Sequence, residues 1–283
     1  MTTDIATTGL VELAASAHRI RRRIIDMAAN PEGAHIGGAL SSADILAVLY
    51  RAVLRVRPEE PRWPGRDHFV LSKGHAAAGL YAALAERGFI AEAELATYAR
   101  AGGRLGGHPT RAVPGVEFPT GSLGHGLSLG VGLALAARRD GRANRVFVLL
   151  GDGELQEGSV WEAAGSAAFL GLDNLVAIVD RNRLQINGGT DARSGTAPLA
   201  DRWAAFGWRV AEVDGHDLGA LRTALTEGPA EGRPKVVLAE TVKGRGVAFL
   251  ENRDKSHYCV LTPRLHRRAL AELGDGPGQG GVR

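Results

Sequence analysis

The sequence predicts an α/β fold, a doubly wound and mostly parallel sheet with helices on both faces. Short apolar runs bounded by turn residues recur along the chain, "VFVLL" at 146–150 among them, and a strand this apolar is buried on both faces. Segments of helical periodicity alternate with these runs, as in a parallel sheet built from crossover units. The loops after successive runs carry His75, Asp152, Asn182 and His257 among many glycines. Open parallel sheets gather such loops along one edge, where ligands bind.

Taken in order, residues 10–28 set Leu10, Leu13, Ala17, Ile20 and Ile24 on one helical face. The basic run from Arg21 to Arg23 within it reads as a solvated face. A second helix is expected over 41–54, with Ser41 or Ser42 as N-cap. Residues 67–88 read as a short strand, a turn at Ser-Lys-Gly-His, and a helix ending near Gly88. The stretch 95–126 is rich in Gly and Pro with little periodicity; a loop that long in a compact domain is usually functional or disordered. A helix over about 127–139, the strand 146–150 and a helix over about 158–170 follow. Strands are expected at 174–180, 208–214 and 235–241, with a helix at 217–228 between the last two. The Gly-rich tail 274–283 reads as disordered.

Composition narrows the function. The 283 residues are 45% hydrophobic and 23% charged, enough for a substantial core. The formal charge of +3 is scattered, without aromatic interleaving, which argues against nucleic acid. One cysteine, Cys259, rules out an internal disulfide framework and a Cys-rich zinc site; it reads as a buried small hydrophobe. The first ten residues lack the basic flank and apolar core of a signal peptide, and no apolar run reaches membrane-spanning length. A cytoplasmic protein without membrane partners is the expectation.

The chemistry concentrates in "VFVLLGDGELQEG" at 146–158, where a buried strand ends on a carboxylate between two glycines. Glycines let backbone amides approach an anion, and a carboxylate with an amide oxygen suits a hard cation such as Mg²⁺. The sum is a metal–diphosphate site. Other phosphate motifs do not compete: no G-x-x-x-x-G-K-[ST] loop occurs, and "GHGLSLG" at 124–130 does not follow an apolar strand.

The Gly-Asp-Gly and the Asn about thirty residues beyond it, past an apolar strand, resemble the thiamine diphosphate motif. "GAHIGGALSSADIL" (33–46), "FVLSKGHAAAGLYAAL" (69–84), "GGHP" (106–109), "TGSLGHGLSLGVGLALA" (120–136) and "ETVKGRG" (240–246) are similar to the transketolase N-terminal domain, in the same order. The resemblance implies thiamine diphosphate and Mg²⁺ as cofactors. It implies Asp152, the Asn182 side chain and the Leu184 carbonyl as metal ligands. It places Gly153, His75 and His257 near the diphosphate and Gly121 and Leu123 at the aminopyrimidine, with Gly124, Gly151 and Lys243 as further cofactor-binding residues. His35 and His108, with His75 and His257, match histidines that bond sugar hydroxyls or assist proton transfer. Glu157 matches a glutamate in a relay at a subunit interface. His125 and His216 receive no role; "DGHD" at 214–217 reads as a turn.

The resemblance also implies a single diphosphate-binding domain over 1–262, with 263–283 as an extension. In the family, the glutamate that bonds the aminopyrimidine and the residues that grip a sugar phosphate belong to a second, pyrimidine-binding domain. The expectation is therefore the N-terminal subunit of a split transketolase, completed by a separate pyrimidine-domain chain as two copies of each. It would move a two-carbon ketol unit from a ketose donor to an aldose. The alternatives are delivery to a lipoyl or carrier-protein thiol, another thiamine-dependent keto-acid or ketol reaction, or a non-catalytic binding or regulatory subunit that keeps the fold, against which the intact Asp152, Asn182 and His75 argue. A departure lies at "HYCV" (257–260), where the family more often has Gly after the histidine.

Overall fold

A computed structural model describes residues 8–185, 188–190, 198–230 and 232–277. Five strands form one parallel sheet: β1 (His68–Leu71), β2 (Val146–Gly151), β3 (Leu175–Arg181), β6 (Arg209–Asp214) and β7 (Lys235–Glu240). Their spatial order is β1-β2-β3-β7-β6. Two-residue strands β4 (Leu184–Gln185) and β5 (Gly188–Gly189) make a small antiparallel ribbon beyond β3.

The pleat of β2 divides its side chains between two cores. Phe147 and Leu149 enter one, with α1 (Leu10–Met27), α2 (Ile36–Ser41), α3 (Ala43–Val48), α4 (Ala77–Arg87) and α8 (Leu218–Thr226). Val146, Val148 and Leu150 enter the other, with α5 (Gly126–Arg139), α6 (Gly158–Phe169) and α7 (Leu199–Ala205). Each such side chain fully buried stabilises the fold by about 1.5–3 kcal/mol. The expected double winding is what the structure has. Connections run one way from β1 through β2 and β3 to the edge strand β6, with α7 on the same face as α5 and α6, and reverse only there, returning over α8 on the other face to place β7 beside β3. A crevice at the carboxyl ends of neighbouring strands follows from such a reversal.

The helix expected over 41–54 is corrected. It begins at Ile36, breaks at Ser42, resumes as α3 and ends in one π-helical turn, Leu49–Val53. Ser42 stands at the N-cap position of α3 as expected but makes no side-chain capping bond; the Ser41 and Ser42 hydroxyls donate back to the Gly38 carbonyl at 3.1 and 2.9 Å. Such back-bonding bends helices, and it accounts for the break. The basic run in α1 is also corrected. Arg21 is buried on Asp44, Arg23 pairs with Glu86 and Glu92, and only Arg22 is exposed. Apolar periodicity marked the buried face of α1 but not the carboxylates of other elements that reach its arginines.

Other expectations stand with small shifts. Gly88 ends α4 in the left-handed region (φ 93°), Asp217 caps α8 through Gly219 and Ala220, and 98–125 is irregular. Helix α9 (Pro263–Leu273), within the expected extension, buries Ala269 and packs on α1. Of the tail 274–283, residues 278–283 lie outside the described residues.

Candidate functional site

A cavity of about 460 Å³ opens at the carboxyl ends of β1, β2, β3 and β7. Each strand delivers its following loop: Lys73 and His75 after β1, Asp152 to Glu154 after β2, Asn182 and Leu184 after β3, Lys243 and His257 after β7. His35, at the start of α2, joins them, and the long irregular segment adds His108, Gly121 and Leu123. Of the residues singled out in the sequence, Gly124 and Glu157 stand outside the lining. Gly124 lies just behind it, its amide donating to Glu154 Oε1 at 2.8 Å. Glu157 is exposed at the start of α6, beside Gly124.

Asp152 is the most constrained group. Its Oδ1 accepts the Gly153 amide at 2.8 Å, and Oδ2 accepts the Arg183 amide at 2.6 Å and the Thr190 hydroxyl at 3.1 Å. Burial, then the charge of Asp180, pushes its carboxyl up to about 6. Two neutral oxygens stand near in the chain. Asn182 Oδ1 accepts the Leu184 amide at 3.2 Å, and the Leu184 carbonyl accepts the Lys243 ammonium at 3.1 Å. That carbonyl is therefore already occupied by a cationic side chain. Among the described residues no group of three or more His, Cys, Asp or Glu is placed to hold a metal. The set here is one carboxylate with an amide and a carbonyl oxygen, the hard donors that suit Mg²⁺. A Cβ on Gly153 would press to 3.0 Å from Gln185 Oε1, so glycine keeps this wall close.

Below the cavity floor Asp180 is fully buried, bonded to the Lys73 ammonium and to the hydroxyls of Ser41 (2.6 Å) and Thr241. Burial opposes its charge, but Lys73 and these hydroxyls hold it below the ordinary carboxylate range. Glu154, also buried, accepts amides from Gly124 and Gly151 and the Ser72 hydroxyl. Neither Lys73, Asp180 nor Glu154 was singled out in the sequence. The available signal was there: like Asp152, Asp180 is a carboxylate near the end of an apolar run.

Four imidazoles form the opposite wall. The His35 ring lies 5.4 Å from His75, 5.8 Å from His108 and 5.3 Å from His257, and His75 stacks on His257. Burial lowers His35 and His257 to about 4, helped by His108 and Lys243 for the first and chiefly by Lys243 for the second. Burial, then Lys73, lowers His75 well below the ordinary imidazole value. These three rings are neutral at neutral pH. His35 Nδ1 is buried without a hydrogen-bond partner among the described residues, so this ring retains bonding capacity. The Tyr258 ring meets His35 edge to face at 4.7 Å. Cys259 is half-buried, its backbone paired with Ala34. His216 lies in a turn, as read, and its side chain is also bonded to Asp44 and to the Val242 amide.

The chain matches the family model "Transketolase, thiamine diphosphate binding domain" over residues 13–277. It is 46% identical to a subunit of the apulose-4-phosphate transketolase of Actinobacillus succinogenes, over 93% of this chain and 96% of that one. It is 40% identical to a 6-deoxy-6-sulfo-D-fructose transketolase subunit of a Clostridium species, over 93% and 96%. Among solved structures, the transketolase of Leishmania mexicana superposes with a TM-score of 0.86 at 33% identity, covering 96% of this chain and 42% of that one. The chain thus spans about two-fifths of that transketolase and nearly all of the two relatives named as subunits. The order of motifs, the parallel sheet with its crevice and these likenesses agree: the chain belongs to the transketolase family of thiamine diphosphate-dependent transferases, as its thiamine diphosphate-binding domain.

Proposed function

We propose that this chain binds the diphosphate of thiamine diphosphate through Mg²⁺ and acts with a separate pyrimidine-domain subunit. The pair would transfer a two-carbon ketol unit from a phosphorylated ketose to an aldose. The observation that carries this reading is the convergence of the Asp152, Asn182 and Leu184 oxygens with four imidazoles in one cavity. Support for two chains comes from the relatives of nearly equal length whose names call them transketolase subunits.

The residues fit the cofactor. Asp152, held against Asp180 by the fold, gains from a divalent cation, with Asn182 Oδ1 and the Leu184 carbonyl as the further oxygens. Lys243 would move from that carbonyl toward the diphosphate, and the wall at Gly151 and Gly153 leaves room for it. Bound there, thiamine diphosphate supplies the nucleophilic carbon and electron sink that ketose cleavage needs. Neutral His35, His75 and His257, with His108 beside them, bond donor and acceptor hydroxyls and carry protons between them. A ring without charge can give at one nitrogen and take at the other.

Calorimetric titration of thiamine diphosphate with Mg²⁺, into the chain alone and with its partner subunit, tests this. Tight binding with the partner, and release of an aldose fragment from ketose phosphates, is the expected outcome. Absence of binding in both titrations overturns it. Supplying an aldose or a carrier-protein thiol as acceptor separates the two transfer reactions.

A further inference from the structure

Of the five strands in the parallel sheet, β6 alone sends no described residue of its following loop into the cavity. That loop nevertheless carries His216, whose side chain is largely enclosed. The Val242 amide donates to His216 Nε2 at 2.9 Å, and Nδ1 lies 2.7 Å from Asp44 Oδ2. An Nε2 that accepts an N–H carries no proton, so the proton sits on Nδ1 and is given to Asp44. Asp44 is in turn gripped by both terminal nitrogens of Arg21, at 2.9 and 2.5 Å. The turn fixes the ring from the other side: the His216 amide donates to Asp214 Oδ1 at 2.8 Å, and the Gly215 amide to the Glu240 carbonyl at 2.7 Å.

Val242 is where the chain leaves the sheet. The Thr241 amide still bonds the Arg181 carbonyl, and the Gly244 amide bonds that of Gly37. Between them the Val242 amide takes a side-chain acceptor, and the next residue is Lys243. That lysine is 2% exposed, with Nζ 3.1 Å from the Leu184 carbonyl and 3.4 Å from His257 Nδ1. We propose that His216 is a positioning residue: its imidazole, with the proton held on Nδ1 by Asp44, accepts the Val242 amide and thereby aims the Lys243 ammonium into the cavity. A chain of contacts, Arg21 to Asp44 to His216 to Val242, then reaches from α1 to the site, its first two members buried and the last two half-buried. What Lys243 does there rests on the reading of the cavity as a cofactor site; how it is held does not.

The test uses the full chain, alone and with its partner subunit. Nitrogen-15 NMR of the histidines is expected to show the His216 proton on Nδ1. In His216→Ala, amide hydrogen exchange at Val242 rises at least about tenfold, the scale of one lost hydrogen bond. His216→Gln, whose Oε1 can accept the same amide, restores it. If the alanine variant does not fold, His216→Phe fills the space without an acceptor and replaces it. Thiamine diphosphate affinity falls about 3- to 10-fold in His216→Ala. No further loss is expected when that change is made on Lys243→Ala, since residues acting through one another are not additive. A proton on Nε2, unchanged exchange at Val242, or losses that multiply in the double variant each overturn the proposal. If the wild-type chain binds no cofactor with its partner, the functional reading falls. The tautomer and exchange results still decide the role of His216.

Discussion

Asp152 is a carboxylate that the fold makes uncomfortable, since burial and Asp180 raise it to about 6. A neighbouring cation removes that penalty, so the strain on the carboxylate and its capacity to hold a metal are two sides of one arrangement. Asp152→Ala is therefore expected to weaken Mg²⁺-dependent cofactor binding by more than about 100-fold, since even outer-sphere changes cost 10–100-fold. The circular dichroism spectrum should be unchanged, because the residue lies beyond the sheet. Retained affinity in that variant would remove Asp152 from the site. The histidines carry a pH signature of their own. Folded values near 4 for His35 and His257 lie below the ordinary 6.5. Between those limits the unfolded chain binds more protons, so stability rises as pH goes from about 4 to about 6.5. Denaturation midpoints measured across that range should change less in a His35→Gln, His257→Gln double variant than in the wild type. Equal slopes would mean the rings are not held neutral by the fold.

At the level of elements, the site depends on how closely α5 meets β1. The Gly126 amide donates to Ser72 Oγ at 3.1 Å, and the Ser72 hydroxyl donates to Glu154, which also accepts the Gly124 and Gly151 amides. One buried carboxylate thus ties the start of α5 to the ends of β1 and β2. A Cβ at Gly126 would lie 2.7 Å from the Ser72 Cα, a backbone atom that cannot swing aside. Gly126→Ala should destabilise the protein by about 1–3 kcal/mol, the usual cost of overpacking. The same change should loosen 121–125, so cofactor affinity falls with it. Urea denaturation and titration on one sample check both, and a variant as stable as the wild type would show that α5 can shift freely.

Across the whole molecule, a single reversal of strand order determines where chemistry can happen. Because β7 lies beside β3 while β6 is at the edge, the loops after β3 and β7 part around a crevice, and Asn182, Leu184 and Lys243 face one another. The histidines come from four separate stretches of chain, 35, 75, 108 and 257, yet they share one wall.

Much of this was legible in the sequence. Apolar runs with turn residues at their ends located all five strands of the parallel sheet: β1, β2, β3 and β7 are almost wholly buried, which leaves few other compositions available, while β6 at the edge is half exposed and shows instead by alternation. Gly-Asp-Gly after such a run marked Asp152, because short-range geometry alone places it at a strand end. What was missed has two causes. The helix break at Ser42 is local, a hydroxyl bonded back to Gly38; the others are long-range, since Arg21 looks solvated until Asp44 reaches it and His216, a turn residue as read, gains its further bond only when Val242 arrives 26 positions later. Local pattern determined the elements and the identity of the chemical groups. Only the tertiary structure decided which charges are buried together, because that depends on distances between segments that periodicity does not encode.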